Sequence, residues 1–169
     1  YSLDCLQKGQ TVGLVPTMGA LHEGHLRLVK QSIKANNRTV VSIFVNPLQF
    51  NNASDLAQYP QTFDNDAAIL TEEGVDVIFH PSNESFYPSE PKISIDFGLL
   101  ASRMEGKYRP GHFQGVGIVV SKLFNVISPV RAYFGLKDLQ QYLLIKRMGR
   151  ELNFPIDIIG VETVREDSG

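Results

Sequence analysis

Apolar and polar positions alternate along the chain with two different periods. Short apolar runs rich in β-branched residues, typical of buried parallel strands, are separated by segments in which apolar residues recur at helical spacing. The pattern predicts strands over 11–17, 39–45, 75–81, 131–135 and 156–161. It predicts helices over 23–35, 64–74, 115–128 and 138–152. This alternation indicates a layered α/β domain whose parallel strands are joined by crossover helices.

Two segments in the middle of the chain are less regular. The polar stretch over 82–91 ends in Pro88-Ser-Glu-Pro91, and it predicts a loop. The next residues, KISIDFG over 92–98, alternate between apolar and polar side chains. We therefore expect an edge or half-exposed strand there.

Composition and charge narrow the classes of protein. The chain has 169 residues, of which 43% are hydrophobic and 20% charged, enough for one domain with a single substantial core. A net charge of -2 disfavours a general nucleic-acid surface, and no apolar run approaches the roughly 18 residues that span a membrane. We therefore expect neither nucleic acid nor membrane as a partner.

Cysteine usage and the two ends of the chain give two further expectations. The single cysteine, Cys5, excludes an internal disulfide, so a cytoplasmic location is the simplest interpretation. The chain begins with Tyr1 and ends with VREDSG, and neither end has a recognisable signal or tail. We expect it to be part of a longer reading frame.

The stretch PTMGALHEGH, residues 16–25, carries the chemistry of the first strand-helix junction. An open parallel sheet binds its ligands at such junctions, and a helix N-terminus attracts anions. Gly19 allows close backbone approach, while His22 and His25, one helical turn apart, can both donate to phosphate oxygens. Zinc-binding helices space their histidines four apart, so the spacing of three disfavours metal binding and leaves two incidental histidines as the alternative.

This stretch resembles the signature of the pantothenate synthetase (pantoate–β-alanine ligase) family, whose H-x-G-H motif binds ATP. Four more segments match the family in order, and TVRED over 163–167 looks like the approach to its second ATP motif. They are FVNPLQF (44–50), YPQTFDND (59–66), EGKYRPGHFQGV (105–116) and GLKDLQQ (135–141). The resemblance implies a Rossmann-like, doubly wound parallel sheet of the nucleotidyltransferase and class I aminoacyl-tRNA synthetase type. It also implies one nucleotide- and pantoate-binding domain over 1–169, without the family's small C-terminal domain.

The activity implied by the resemblance has two steps. Pantoate attacks the α-phosphate of ATP to give pantoyl adenylate and pyrophosphate, and β-alanine then displaces AMP to form pantothenate. Because the pantoate carboxylate is itself the nucleophile, the protein has to align it and stabilise phosphate charge, and no catalytic serine or cysteine is expected. The resemblance further implies Mg²⁺ and a homodimer.

The same resemblance assigns roles to individual residues. His22, His25 and Lys137 would be catalytic and contact phosphates; His25 would have the proton-donor role or stabilise transition-state charge instead. Gln49 and Gln141 would bind the pantoate and β-alanine side of the reaction. Asp138 would hold Mg²⁺ or cap the following helix. The residues expected to bind ATP are Met18, Gly19, Ala20, Leu21, His22, Glu23, Gly24, His25, Gly135, Leu136, Lys137, Asp138 and Val164.

Several positions near these motifs leave alternatives open. Leu136 stands where the family usually has glutamate, so only a backbone contact is expected there. Asp66 would either steer a cation or serve the dipole of its helix. His112 would either face the cleft or tether a structural loop, and Gln140 is expected to be solvated.

Two rival functions share much of this pattern. Another nucleotidyltransferase-fold enzyme would use the same histidine motif on a different substrate. A noncatalytic nucleotide-binding module would also fit a chain that stops before the second ATP motif. The combination of FVNPLQF, RPGHFQGV and KDLQQ favours the ligase.

Overall fold

A computed structural model describes residues 1–162 of the chain. Its five strands are β1 (Val12–Thr17), β2 (Arg38–Ile43), β3 (Val77–Phe79), β4 (Arg131–Gly135) and β5 (Asp157–Val161). Its α-helices are α1 (Ser2–Gln7), α2 (Glu23–Ala35), α3 (Ala53–Gln58), α4 (Phe63–Glu72), α5 (Asn83–Phe86), α6 (Glu105–Tyr108), α7 (His112–Ile127) and α8 (Leu139–Glu151). Short 3₁₀ turns cover Pro47–Gln49, Gly98–Leu100 and Leu136–Asp138.

The strands form one parallel sheet in the order β3-β2-β1-β4-β5. The chain moves outward from β1 to β3, then crosses back to β4 beside β1 and continues outward to β5. The order of the strands therefore reverses between β1 and β4. In a doubly wound sheet, this reversal opens a crevice at the carboxyl ends of the two central strands.

Helices cover both faces of the sheet, which confirms the expected layered α/β architecture. On one face, α2 and α4 bury Val29 and Leu70 against Val15 and Val41. On the other face, the apolar side of α7 and residues of α8 form the larger core cluster. Because both faces are buried, the strands can be almost wholly apolar.

The predicted edge strand over 92–98 is wrong. Residues 91–97 have no regular secondary structure, and Gly98–Leu100 form a 3₁₀ turn. Ile95 and Phe97 nevertheless pack against α7 at Gly117, while Ile93 is 75% exposed. One-sided packing of an irregular segment on a helix thus produced the same alternation of apolar and polar residues as a strand.

Four short helices were not predicted. The segment expected to be a loop over 82–91 contains α5, whose Phe86 is buried, and the other three are α1, α3 and α6. Their four to six residues are too short for a clear helical period in the sequence. Within residues 1–162, no helix has the length and apolar character needed to cross a membrane.

Candidate active site

A cleft of about 680 Å³ opens at the carboxyl ends of β1 and β4, where the strand order reverses. Ten of the residues expected to bind substrates line it: Met18, His22, Glu23, Gly24, His25, Gln49, Gly135, Lys137, Asp138 and Gln141. They come from three separate motifs of the sequence. The topology therefore brings together the groups that the resemblance assigned to one site.

The turn between β1 and α2 is held from outside by a buried carboxylate. Asp66, on α4, accepts hydrogen bonds from the backbone N–H groups of Ala20 and Leu21, both at 2.9 Å, and from the Thr62 hydroxyl at 3.0 Å. Gly19 has φ +83° and Ala20 has φ 51°, so the turn passes twice through the left-handed region. Asp66 compensates for this strain, because its carboxylate accepts hydrogen bonds from two backbone N–H groups of the turn. Asp66 also lies in the first turn of α4, where its helix-dipole role was expected, and its part in steering a cation stays a prediction.

The two histidines lie side by side at the start of α2. Their ring centroids are 4.1 Å apart, with the planes tilted by 42°. His22 Nδ1 accepts from the Gly24 N–H at 3.0 Å, and His25 Nδ1 accepts from the His22 N–H at 3.4 Å. Because each Nδ1 is an acceptor, each neutral ring carries its proton on Nε2, where it can be donated to a ligand.

His25 is neutral at physiological pH. Burial, and then the neighbouring His22, lower the pKa of His25 to about 4, with Lys137 adding to the effect and Asp66 opposing it. A neutral imidazole still donates a hydrogen bond to developing negative charge, as in other enzymes that lower a histidine pKa for this purpose. The lowered pKa of His25 is consistent with hydrogen-bond stabilisation by a neutral ring, and the role of His25 in the reaction stays a prediction.

The opposite end of the cleft contains the turn over Asn46–Gln49. The backbone of this turn is tied to α7, because the buried His112 ring hydrogen-bonds through Nδ1 to the Gln49 carbonyl oxygen at 2.9 Å. At Gly115, an added Cβ would lie 2.2 Å from the Leu48 oxygen, so only glycine permits this approach. His112 is thus a structural tether, the second of its two expected roles. Burial lowers the pKa of His112, so its ring is neutral.

The wall formed by β4 and α8 is less restrained. Lys137 and Asp138 are exposed residues of the cleft, and neither forms an ion pair among residues 1–162. Asp138 occupies the N-cap position of α8, but its side chain makes no capping hydrogen bond. Leu136 lies against Gly160 of β5, consistent with the expectation that its side chain has no polar role.

Some expected residues lie elsewhere. The walls of the cleft do not include Gly19, Ala20, Leu21 or Leu136, whose part in ATP binding stays a prediction. Val164 lies outside the described residues. The prediction that Gln140 is solvated is wrong, because its side chain bonds to the backbone of Leu100, Arg103 and Glu105 and ties α8 to that segment.

Comparisons with known proteins assign the chain to a family. A family model for pantoate-beta-alanine ligase matches residues 2–169. The chain belongs to the pantoate-beta-alanine ligase family. Pantothenate synthetase of Cytophaga hutchinsonii is 53% identical over 163 residues, which cover 96% of this chain and 58% of that protein.

Solved structures of pantoate-beta-alanine ligases share the fold. The pantothenate synthetase of Thermus thermophilus matches with a TM-score of 0.91 and 49% identity, over 94% of this chain and 58% of that one. The Francisella tularensis enzyme, solved with beta-gamma ATP and beta-alanine, matches with a TM-score of 0.93 and 44% identity. The match covers 95% of this chain and 62% of that one. The domain therefore has the nucleotidyltransferase-type fold. This chain spans somewhat more than half the length of the relatives it matches.

Proposed function

We propose that this chain provides the nucleotide- and pantoate-binding part of an ATP-dependent ligase that joins pantoate to β-alanine through a pantoyl-adenylate intermediate. The observation that carries the proposal is one cleft with imidazole and ammonium donors at one end and a glutamine amide beside an apolar wall at the other. The first set suits a triphosphate. The second suits a small, branched hydroxy acid.

At the nucleotide end, His22, His25 and Lys137 serve the phosphates. The Nε2–H donors of the two histidines and the ammonium group of Lys137 stabilise the charge that develops when the carboxylate attacks the α-phosphate. None of them has to form a covalent bond with substrate. Glu23 and Gly24 line the same wall and contribute to the nucleotide surface.

At the acid end, Gln49 and Gln141 bind the polar groups of pantoate. Val116, Val119 and Val120 of α7 provide an apolar wall. Pantoate carries two methyl groups on one carbon between its hydroxyl groups, and burial of such a quaternary carbon favours branched apolar neighbours. β-Alanine then attacks the activated carboxyl carbon from the open side of the cleft.

Asp138 supplies the protein oxygen for Mg²⁺ bound with ATP. Its carboxylate is a hard oxygen ligand, lines the cleft and has no capping partner. A Mg²⁺ ion bound with ATP would take most of its remaining ligands from phosphates and water. When bound, Mg²⁺ neutralises phosphate charge and orients the leaving pyrophosphate.

A cytoplasmic homodimer completes the proposal. The single cysteine is buried and unpaired within residues 1–162, as expected in a reducing compartment. Leu99, Met104 and Tyr108 are each at least 70% exposed and close in sequence, and they form a candidate contact for a second copy. Sedimentation of the parent and a Leu99→Ser/Met104→Ser variant tests this, since a monomeric parent contradicts it.

The proposed activity is tested with two proteins. We compare the 169-residue chain with the same chain extended by the C-terminal part of its Cytophaga hutchinsonii relative. The chain alone should bind ATP and pantoate in calorimetry. Its pantothenate formation should be at least a hundred- to a thousandfold slower, because lost preorganised donors and an open, wet site both reduce the rate.

The controls separate the rival functions. Pantoate-dependent exchange of pyrophosphate into ATP by the extended protein supports the ligase. Exchange with another acid but not with pantoate indicates a different nucleotidyltransferase-fold enzyme. ATP binding without exchange in either protein indicates a noncatalytic module.

A further inference from the structure

The side-chain amide of Asn46 has only one possible orientation. Its oxygen accepts from the backbone N–H of Leu48 at 3.3 Å, and its nitrogen donates to the backbone oxygen of Gly115 at 3.1 Å. A backbone N–H can only donate and a backbone oxygen can only accept. Exchanging the amide oxygen and nitrogen would break both hydrogen bonds. Asn46 is 1% exposed, so water cannot compensate for that loss.

The fixed Asn46 amide in turn orients Gln49. The second N–H of Asn46 is directed at Gln49 Oε1, 3.1 Å away. The Gln49 amide nitrogen must then face the other way, where it lies 3.0 Å from the sulfur of Met18 in the cleft. Gln49 therefore presents donors to the cleft. A glutamine amide can in general both donate and accept, so the residue type alone does not determine this orientation.

Tyr87 adds the final restraint from a segment that carries none of the recognised motifs. Its hydroxyl donates to the Asn46 oxygen at 3.0 Å. Burial raises the pKa of Tyr87, so the hydroxyl keeps its proton throughout the physiological range. The ring packs edge-on to Phe86 and against Phe44, which holds the hydroxyl in place. The chain of donors runs from Tyr87 to Asn46 and from Asn46 to Gln49.

We propose that Tyr87 is a positioning residue that acts through Asn46 to keep the N–H₂ group of Gln49 facing the acid end of the cleft. This inference rests on the proposed function and extends it to substrate specificity. The acid must place an oxygen acceptor, carboxylate or hydroxyl, against Gln49. A ligand with an ammonium or amide N–H at that point meets another donor and is rejected.

Methionine sulfur is the reason that this arrangement favours a ligand. A thioether is a weak acceptor, so the Gln49 donor is only partly satisfied by Met18. A carboxylate oxygen forms a much stronger, charge-assisted hydrogen bond. Binding of the acid therefore replaces a weak partner with a strong one, without reorientation of the amide.

Two variants of the 169-residue chain test the proposal. Tyr87→Phe removes one hydroxyl and keeps the ring, so pantoate binding should weaken about fivefold while ATP affinity stays unchanged. Asn46→Asp places an acceptor opposite Gln49 Oε1 and should reverse the Gln49 amide. Pantoate binding should then fall by about 50-fold or more, because an amide oxygen faces the carboxylate. The matched control is Tyr142→Phe, which removes a hydroxyl bonded only to the exposed Lys146 among the described residues.

Side-chain amide NMR provides a readout that does not depend on binding. In the parent, neither Gln49 N–H₂ proton should be hydrogen-bonded to an oxygen before pantoate is added. Once pantoate is added, one of them should bond to a pantoate oxygen. In Asn46→Asp, one of them should move downfield without ligand, and in Tyr87→Phe the two signals should broaden as the amide becomes mobile.

The outcomes are distinct for each hypothesis. Unchanged Gln49 signals in both variants, or equal losses of pantoate and ATP affinity, overturn the positioning role. Should Asn46→Asp fail to fold, Tyr87→Phe alone decides by the same criteria. A parent that shows the expected amide signals but does not bind pantoate overturns the proposed function and leaves the orientation of Gln49 intact.

Discussion

The two walls of the cleft differ in how much the protein itself restrains them. On the β1–α2 side, the Asp66 carboxylate accepts hydrogen bonds from two backbone N–H groups of the turn. Each histidine also accepts a hydrogen bond from a neighbouring backbone N–H. On the β4–α8 side, Lys137 and Asp138 are exposed and unpaired within residues 1–162. The first wall is organised before any ligand binds, whereas the second depends on a ligand for its partners.

This difference has a physical reason. Donors on neutral rings and backbone groups can be paired within the protein at little cost and still present one free N–H to a phosphate. An ion pair within the protein would leave the Lys137 ammonium ionised but would offset much of the charge that we propose it offers to phosphate. The same holds for Asp138 and its proposed contact with Mg²⁺. We infer that the first wall contributes to stability and to binding, and the second chiefly to catalysis.

Replacement of Lys137 by alanine should produce the largest effect on the second wall. Loss of one donor to transition-state charge should lower pantoate-dependent pyrophosphate exchange by about a hundred- to a thousandfold in the extended protein. The free energy of unfolding in urea should change by less than about 0.5 kcal/mol. Lys146→Ala, on the helix α8 that follows Lys137 and outside the cleft, is the control. A large loss of stability in Lys137→Ala would contradict the contrast between the walls.

Asp66→Ala should show the opposite behaviour on the first wall. Two backbone N–H groups lose their acceptor, and each such loss costs about 1–3 kcal/mol, so we expect stability in urea to fall by at least about 2 kcal/mol. ATP affinity should fall with it, since the histidines follow this turn. Asp64→Ala, an exposed acid in the same helical turn, should leave both quantities unchanged. An unchanged free energy of unfolding in Asp66→Ala would show that the turn keeps its conformation without the hydrogen bonds to Asp66.

Asp138→Asn gives a smaller and more selective effect. The amide keeps the shape but loses the charge that Mg²⁺ prefers, so half-maximal exchange should need about tenfold more Mg²⁺. A magnesium titration of pyrophosphate exchange at saturating ATP and pantoate measures the Mg²⁺ concentration at half-maximal rate. Maximal exchange at high Mg²⁺ should recover most of the parent rate. An unchanged magnesium requirement would remove Asp138 from the metal site.

The smallest effect concerns the pH dependence of the first wall. The pKa of His25 is about 4 in the folded chain and about 6.5 when unfolded, so the unfolded state binds the proton first. The stability contributed by neutral His25 is present above pH 6.5 and is lost as pH falls towards 4.

NMR titration of the His25 ring measures its pKa directly. ATP should raise this pKa, because phosphate charge favours the protonated form of the ring. His25→Gln should reduce the slope of stability against pH in this window. His112 remains as a second contributor, because its pKa is also lowered. A His25 pKa near 6.5 in the free chain, the ordinary value, would contradict the buried, neutral ring.

Local patterns predicted the part of the site that is local. Strand β1, helix α2 and the paired histidines lie within 24 residues of one another, and periodicity and spacing were enough to find them. Lys137 and Gln141 needed the family resemblance to join the same site. The layered α/β class followed from the β–α alternation alone, whereas the doubly wound, nucleotidyltransferase-type sheet was expected from the family resemblance.

The supporting residues could not be found in this way. Asp66 pairs with residues 45 and 46 positions earlier, and Tyr87 reaches Asn46 across 41 positions. Such contacts depend on which strands become neighbours, and nothing in the local sequence distinguishes these side chains from exposed ones. The prediction of a strand over 92–98 failed for a related reason. The alternation of apolar and polar residues there reflects packing on α7 and not hydrogen bonding to a neighbouring strand.

The absence of a side chain at Gly115 sets the width of the acid end. Since a Cβ there would lie 2.2 Å from the Leu48 oxygen, even alanine forces α7 and the Gln49 turn apart. In the proposed acid pocket, this single position therefore sets two properties at once. They are the separation between the valine face of α7 and Gln49, and the hydrogen bond from Asn46 to the Gly115 oxygen that helps to orient the Gln49 amide. A side chain added to widen the pocket would disturb both.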